Sequence, residues 1–142
     1  MIDQSVTDVM THSVRTITHE ATASTVARLF ATDGIGSALV VDSETDDLVG
    51  IVTESDIMHQ VATDADITRV SVNSFMTTPV ITIPSTESIH TAATLMKDHS
   101  IRRLPVVDDG NLVGILTTTN LVHNLPHLRA HILRERDELS GQ

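Results

Sequence analysis

The chain has 142 residues, 40% of them hydrophobic, which suits one ordinary domain or two small ones that share a core. Its formal net charge of −10 argues against nucleic acid as a partner, because an acidic surface repels phosphate backbones. The absence of cysteine excludes disulfides and thiolate metal sites.

The composition also bears on where the protein works. No apolar run approaches the roughly 18 residues that a membrane span needs, and the N-terminus lacks the features of a signal peptide. We therefore expect a cytoplasmic protein with no membrane partner. Lys97 is the only lysine, against eight arginines and thirteen aspartates. Such a surface is typical of salt-loving organisms, and an ordinary acidic protein is the alternative.

An internal repeat predicts the organisation of the chain. Residues 6–11 (VTDVMT) return as residues 72–77 (VNSFMT), and residues 48–53 (LVGIVT) return as residues 112–117 (LVGILT). The matches keep their order, with two extra residues in the acidic turn of the first copy. We expect one domain at residues 5–61, a second at 71–125, and a C-terminal helix within 126–142.

Each repeat opens with the same predicted elements. Ser5 and Ser71 suit the N-cap of a short leading helix, and β-branched residues predict strands at 14–17 and 80–83. An amphipathic helix follows, for which Gly34 suits the C-terminal cap in the first repeat and Ser85 the N-cap in the second. Its apolar face keeps the i, i+3, i+4, i+7 spacing. That face comprises Ala23, Val26, Ala27 and Phe30 in the first repeat, and Ile89, Ala92, Ala93 and Met96 in the second.

A hairpin and a second helix complete each repeat. Apolar strands are expected at 38–42 and 48–53, and again at 104–108 and 112–117, where Asp109-Gly110 is a strong turn signal. Helices are expected near 54–61 and 118–125. Pro126 can begin a final helix, which would cover the core or contact a partner.

The sequence RLPVVDDGNLVGILTTTN, at the end of this order of elements, resembles a CBS domain. Residues 5–125 therefore resemble a tandem CBS pair, or Bateman module. The resemblance implies an α/β fold of two CBS domains, each a small mixed sheet with two helices, packed about a pseudo-twofold axis. It implies a stand-alone homodimer that binds AMP, ADP, ATP or S-adenosylmethionine in clefts between the repeats and signals to an unknown protein. A structural dimerisation module without a ligand is the alternative.

The motif GIVTESD at residues 50–56 carries the chemistry for ribose. One carboxylate can accept hydrogen bonds from two adjacent ribose hydroxyls, and charge-assisted bonds are the stronger kind. The resemblance assigns this role to Asp56, with the hydroxyls of Thr53 and Ser55 near the ligand. Helix capping or solvation is the alternative role for all three.

The second repeat departs from this motif, since GILTTTN ends in Asn120 and not in aspartate. Its site, with Thr117 and Thr119, is expected to be weaker or differently selective, because an amide lacks the carboxylate charge.

Phosphate and adenine contacts follow from the same resemblance. Arg102 and Arg103 are expected to reach ligand phosphates, which the planar guanidinium matches. The alternative is an exposed charge pair or a salt bridge to the acidic surface. The first repeat has Gly36-Ser37 at these positions. Adenine contacts are implied for Thr78, Ile83 and Ile101 in the site of Asp56, and for His12, Ile17 and Ile35 in the site of Asn120; the isoleucines can equally be ordinary core.

No catalytic signature accompanies these residues. The sequence has no G-x-S-x-G, H-E-x-x-H or P-loop motif, so we expect neither an enzyme nor a catalytic cofactor. His127 and His131 have metal-ligand spacing but no visible third ligand, so no metal site is expected.

Overall fold

The computed structural model describes residues 4–124. They form two compact units, which we call the first-repeat unit (residues 14–80) and the second-repeat unit (residues 4–13 and 81–124). The elements in chain order are α1 (Val6–Val9), β1 (Thr16–Thr18), α2 (Ala23–Asp33), β2 (Ser37–Val41), β3 (Leu48–Thr53), α3 (Glu54–Ala62), α4 (Ile89–His99), β4 (Arg103–Asp108), β5 (Asn111–Thr117) and α5 (Thr118–His123). This mixed architecture confirms the predicted α/β class.

The first-repeat unit is built on a three-stranded sheet in the order β1-β2-β3. Strand β1 runs parallel to β2, and β2 runs antiparallel to β3. Helix α2 buries Ala23, Val26 and Phe30 of its predicted apolar face against this sheet. It ends at Gly34, whose φ of 65° lies in the left-handed region, as predicted for a C-terminal cap.

The second-repeat unit is built on the antiparallel hairpin of β4 and β5. Asp109 and Gly110 form its turn with positive φ angles of 50° and 80°, the conformation that favours this residue pair. Helix α4 packs Ile89, Ala92 and Met96 into the core beside Leu104 and Leu116. Ala93, predicted on the same face, is exposed.

Three local predictions are wrong. Residues 80–83 form no strand; only Ile83 pairs, with the Pro105 carbonyl and the Val107 amide. Pro79 and Pro84 flank the segment and supply no N–H for a longer ladder. Ser88, not Ser85, caps α4, because the Ser85 hydroxyl is bonded to Asp108. Ser71 precedes a single 3-10 turn where a helix was expected.

The remaining predicted elements are present with small shifts of their ends. The strand predicted at 14–17 lies at Thr16–Thr18, and α5 ends at His123. The hairpins, α3 and the helix after Ser5 are confirmed. The final helix predicted within 126–142 lies outside the described residues.

The leading segment of each repeat packs with the strands of the other repeat. In the second-repeat unit, residues Thr11 and Ile115 exchange two backbone hydrogen bonds of 2.9 and 3.0 Å. In the first-repeat unit, Thr77 and Ile51 make the equivalent pair at 2.9 and 3.2 Å. Each threonine thereby lies beside the strand that leads into the motif ending in Asp56 or Asn120.

Two glycines permit this packing. A Cβ on Gly114 would lie 2.8 Å from the Thr11 carbonyl oxygen and 2.7 Å from the Met10 sulfur. A Cβ on Gly50 would lie 2.5 Å from the Met76 sulfur. At Gly114 the backbone carbonyl leaves no room for a side chain, whereas at Gly50 the Met76 side chain would have to move.

Candidate functional site

In the first-repeat unit, the motif residues meet where β3 passes into α3. Thr53 is the N-cap of α3, and its hydroxyl accepts a 3.4 Å hydrogen bond from the Asp56 amide. The Asp56 Oδ2 atom accepts in return from the Thr53 amide at 2.8 Å and from the Thr53 hydroxyl at 3.1 Å. This reciprocal capping box shows that the structural role considered for these residues is real.

Capping occupies only one carboxylate oxygen. Within the first-repeat unit, no described residue donates a hydrogen bond to the Asp56 Oδ1 atom. The side chain is half-buried, and the cap fixes the orientation of the carboxylate and therefore of Oδ1. Ser55 beside it is exposed, and Thr78 is an exposed residue directly after Thr77, the partner of β3.

The equivalent turn of the second-repeat unit carries an amide. Thr117 caps α5, and the Asn120 Oδ1 atom accepts from the Thr117 amide at 2.8 Å and from its hydroxyl at 3.0 Å. The Asn120 Nδ2 group donates a 3.1 Å hydrogen bond to the Thr11 hydroxyl. Thr119 is exposed, and so is His12, which follows Thr11.

The arginine pair lies at the same end of the second-repeat hairpin. Arg103 begins β4 directly opposite Thr117, and the Arg102 carbonyl accepts a 3.0 Å bond from the Thr118 amide. Among the described residues of this unit, no carboxylate forms an ion pair with either guanidinium. The fold therefore brings Arg102 and Arg103 next to the capping motif of their own repeat.

The predicted adenine contacts are distributed over both units. Ile83 is 1% exposed and belongs to the core of the second-repeat unit, against which Ile101 packs partly buried. Ile17 and Ile35 pack in the same way against the core of the first-repeat unit. Ile83 thus has the core role that the sequence left open, while the other three retain some exposed surface.

Sequence reasoning missed Thr11 and Thr77 as parts of the candidate sites. Both stand at the same place in the repeated VMT/FMT signature, and each is an exposed residue beside the last strand of its unit. That repeat was the signal available in the sequence. It could not show that only one of the two threonines bonds to a motif side chain.

The aspartates at the ends of the repeated segments ALVVD (38–42) and LPVVD (104–108) accept hydrogen bonds from different kinds of partner. The hydroxyl and amide of Ser85 donate to Asp108 and hold its pKa below the usual range. The amides of Thr45 and Glu44 lower the pKa of Asp42. Neither carboxylate is therefore poised for acid–base chemistry near neutral pH.

Helices α2 and α3 leave an apolar groove on the first-repeat unit. It has a volume near 300 Å³ and is lined by Ala27, Phe30, Ala31, Glu54, Ile57 and Met58. Met58 is 65% exposed at its edge, and Val122, the equivalent residue on α5, is 62% exposed.

Among residues 4–124, no group of three or more potential ligands could hold a metal ion, and no helix is long and apolar enough to cross a bilayer. His127 and His131 lie outside the described residues.

The sequence profile of the CBS domain matches residues 6–63 and again residues 72–127. The chain belongs to the CBS domain family. As a CBS pair, it is similar in structure to the CBS domain pair of protein MJ0100 in complex with 5′-methylthioadenosine and S-adenosylmethionine. That likeness has a TM-score of 0.77 and 28% identity, and covers 87% of this chain and 97% of the other.

Relatives of this CBS pair differ in length. An uncharacterized protein of Methanopyrus kandleri is 37% identical over 133 residues, which are 92% of this chain and 67% of that protein. A homoserine O-acetyltransferase of Methanococcoides burtonii is 39% identical over 118 residues, which are 82% of this chain but only 23% of that enzyme. The CBS pair thus spans less than a quarter of a relative that is named for a catalytic activity.

Proposed function

We propose that this CBS pair is a regulatory sensor that binds an adenosine ligand and reports it to another protein. The observation that carries the proposal is the Asp56 carboxylate, whose Oδ2 atom is fixed by Thr53 while Oδ1 has no donor in its unit. A carboxylate oxygen that is fixed in orientation and has no donor in its unit suits the adjacent hydroxyls of a ribose. The adenosine compounds bound to the MJ0100 pair support the same ligand class.

The charged end of the ligand is assigned to Arg102 and Arg103. Both guanidiniums lack an acidic partner among the described residues of their unit, on a chain with an overall charge of −10. A planar guanidinium can donate two parallel hydrogen bonds to a phosphate or to a carboxylate. AMP, ADP, ATP and S-adenosylmethionine all offer one of these groups.

The remaining contacts follow the family resemblance. We assign Thr53, Ser55, Thr78, Ile83 and Ile101 to the ligand of Asp56. The weaker second ligand site comprises Asn120, Thr117, Thr119, His12, Ile17 and Ile35.

Thermal shift in molar KCl tests the proposal directly. AMP, ADP, ATP and S-adenosylmethionine are titrated separately, since a ligand at a hundredfold excess over Kd stabilises the native state by about 2.7 kcal/mol. We expect at least one of them to raise the melting temperature. If none does at millimolar concentration, the sensor proposal fails and the structural dimerisation module becomes the better account.

Matched variants then identify the site. Asp56→Ala removes bonds to a charged acceptor and should weaken binding by roughly ten- to a hundredfold. Arg102→Ala should weaken AMP binding while leaving adenosine unaffected, because only the phosphate loses a partner. Glu54→Ala, beside Asp56 but outside the assigned contacts, is the control. Unchanged affinity in both site variants would contradict the assignment.

The alternative of a dimerisation module rests on the apolar groove between α2 and α3. We propose that the pair also forms a homodimer, for which an exposed Met58 beside this groove offers apolar surface. Met58→Asp should reduce the mass measured by light scattering, because a buried charge opposes association. Val122→Asp tests the equivalent position on α5, and unchanged mass in both variants would exclude these faces from the interface.

We further propose a cytoplasmic protein adapted to high salt, on the evidence of its acidic, lysine-poor composition. The regulated protein is proposed to be an enzyme, since one relative of the pair bears the name of an acetyltransferase. Co-purification from cell extract in the presence and absence of the bound adenosine compound would test that partner.

A further inference from the structure

The orientation of the Asn120 amide is fixed by its own capping box. Its oxygen must face the Thr117 amide, which is a donor only and lies 2.8 Å away. The amide nitrogen therefore points in the opposite direction, to the Thr11 hydroxyl at 3.1 Å. Both of these bonds lie within the second-repeat unit.

The acceptor is as firmly placed as the amide. Thr11 exchanges two backbone hydrogen bonds with Ile115, and its carbonyl lies against Gly114. Its preceding residue, Met10, is a buried member of the core. The Thr11 hydroxyl is thus held beside Asn120 by the backbone, with no rearrangement needed to keep the bond.

The first-repeat unit has the same parts without the same bond. Thr77 pairs with Ile51 as Thr11 pairs with Ile115, and Asp56 caps its helix as Asn120 does. Within that unit, the described residues form no hydrogen bond between Asp56 and Thr77. The carboxylate keeps Oδ1 for a ligand, whereas the amide uses one of its two N–H donors internally.

We propose that the bond between Asn120 and Thr11 is a latch that weakens ribose recognition at the second repeat. The chain then binds one nucleoside tightly, through Asp56, and the substitution of amide for carboxylate determines this stoichiometry. The latch ties residues 4–13 to the turn between β5 and α5. Asn120 therefore has a structural role in the second repeat. This inference rests on the proposed function, of which it specifies the number of sites.

Isothermal titration with S-adenosylmethionine and with AMP, in molar KCl, measures the stoichiometry. The native chain should bind one equivalent. Asp56→Asn should weaken that binding at least tenfold without revealing another site of similar affinity. Combining Asn120→Asp with Thr11→Val supplies a second carboxylate without the Thr11 hydroxyl beside it, and should raise the stoichiometry to two. Two equal sites in the native chain, or a single site in the double variant, would overturn the proposal.

The latch has a readout that needs no ligand. Thr11→Val deletes the acceptor and keeps the shape of the side chain, so it should lower the melting temperature. Thr77→Val makes the same change where no such bond exists, and should lower it less. Equal shifts would overturn the latch. If neither compound binds the native or the double-variant protein, yet Thr11→Val alone destabilises, the proposed function fails while the latch stands.

Discussion

The two repeats keep the same packing but differ in their polar residues. In each repeat a methionine packs over a strand glycine, Met10 over Gly114 and Met76 over Gly50. The threonine after each methionine pairs with the last strand of its unit. They differ at the end of that strand, where one carries Asp56 and the other Asn120. The comparison teaches that the two repeats share the residues that the strand crossing needs and differ in the polar residue that ends the motif.

Charge separates the two units as well. Ten acidic and three basic residues lie in residues 14–80, against five acidic and three basic among residues 4–13 and 81–124. The acidic surplus is thus concentrated in the unit that holds Asp56, while Arg102 and Arg103 lie in the other. The electrostatic potential should therefore be more negative around the first-repeat unit.

The largest difference between the units is expected in their cores. Phe30 and Met96 occupy the same repeat position, and both are buried. Phe30→Ala should cost about 3–5 kcal/mol in free energy of unfolding, and Met96→Ala about 2–5 kcal/mol. The phenylalanine variant should lose more, because removing the larger side chain leaves the larger cavity. Urea unfolding measures both. The exposed Thr32→Ala should change stability by less than about 0.5 kcal/mol, and a loss that small for Phe30→Ala would contradict the packing described.

The next largest loss of stability is expected from alanine at Gly114 and Gly50, where the leading segments cross the strands. Gly114→Ala would press on the Thr11 carbonyl, whereas Gly50→Ala would meet only side-chain atoms of Met76. Overpacking typically costs about 1–3 kcal/mol, and Gly114→Ala should lie at the upper end because backbone yields less than a side chain. Urea unfolding of the two variants orders them. A more harmful Gly50→Ala would reverse the comparison.

A smaller difference in stability is expected between variants of Asp108, which ends β4, and of Asp42, which follows β2. Both folded-state pKa values are lowered, so each carboxylate contributes stability that is present above the unfolded pKa near 3.9 and is lost as pH falls through the folded pKa. Asp108 bonds to Ser85, 23 residues away, while Asp42 bonds within its own turn. Asp108→Asn should therefore lower the melting temperature at pH 7 more than Asp42→Asn.

The pH profile distinguishes this account from a general loss of packing. Melting temperatures of the native chain and of Asp108→Asn should draw together as pH falls below about 3.9. They should meet only below the lowered folded-state pKa of Asp108, where the native carboxylate is also neutral. A constant gap from pH 7 to pH 2.5 would show that the carboxylate charge is not responsible.

The smallest effects should come from single surface charges. If the acidic surface opposes folding at low ionic strength, the melting temperature should rise from dilute buffer to molar KCl. Asp47→Asn, in the more acidic unit, should reduce this dependence more than Asp109→Asn. A flat salt profile of the native chain would remove the interpretation as a halophilic adaptation.

The sequence by itself determined the elements whose causes are local. The i, i+4 spacing of Val26 and Phe30 defined α2, Gly34 defined its end, and Asp109-Gly110 defined a hairpin turn. The repeated motif also identified Thr53 and Asp56 as neighbours, because a capping box spans only three residues. These features depend on residues within one or two turns of each other.

The tertiary structure alone decided the features that join distant residues. The strand expected at 80–83 is reduced to one bridge at Ile83, since its pairing depends on β4 and on prolines that cannot donate. Ser85 does not cap α4 as predicted, because its hydroxyl is bonded to the Asp108 carboxylate 23 residues away. The bond from Asn120 to Thr11 spans 109 residues and exists only because the leading segment crosses Gly114. Sequence periodicity predicts which face of an element is apolar. It does not predict which distant residue will form a hydrogen bond with a given polar side chain.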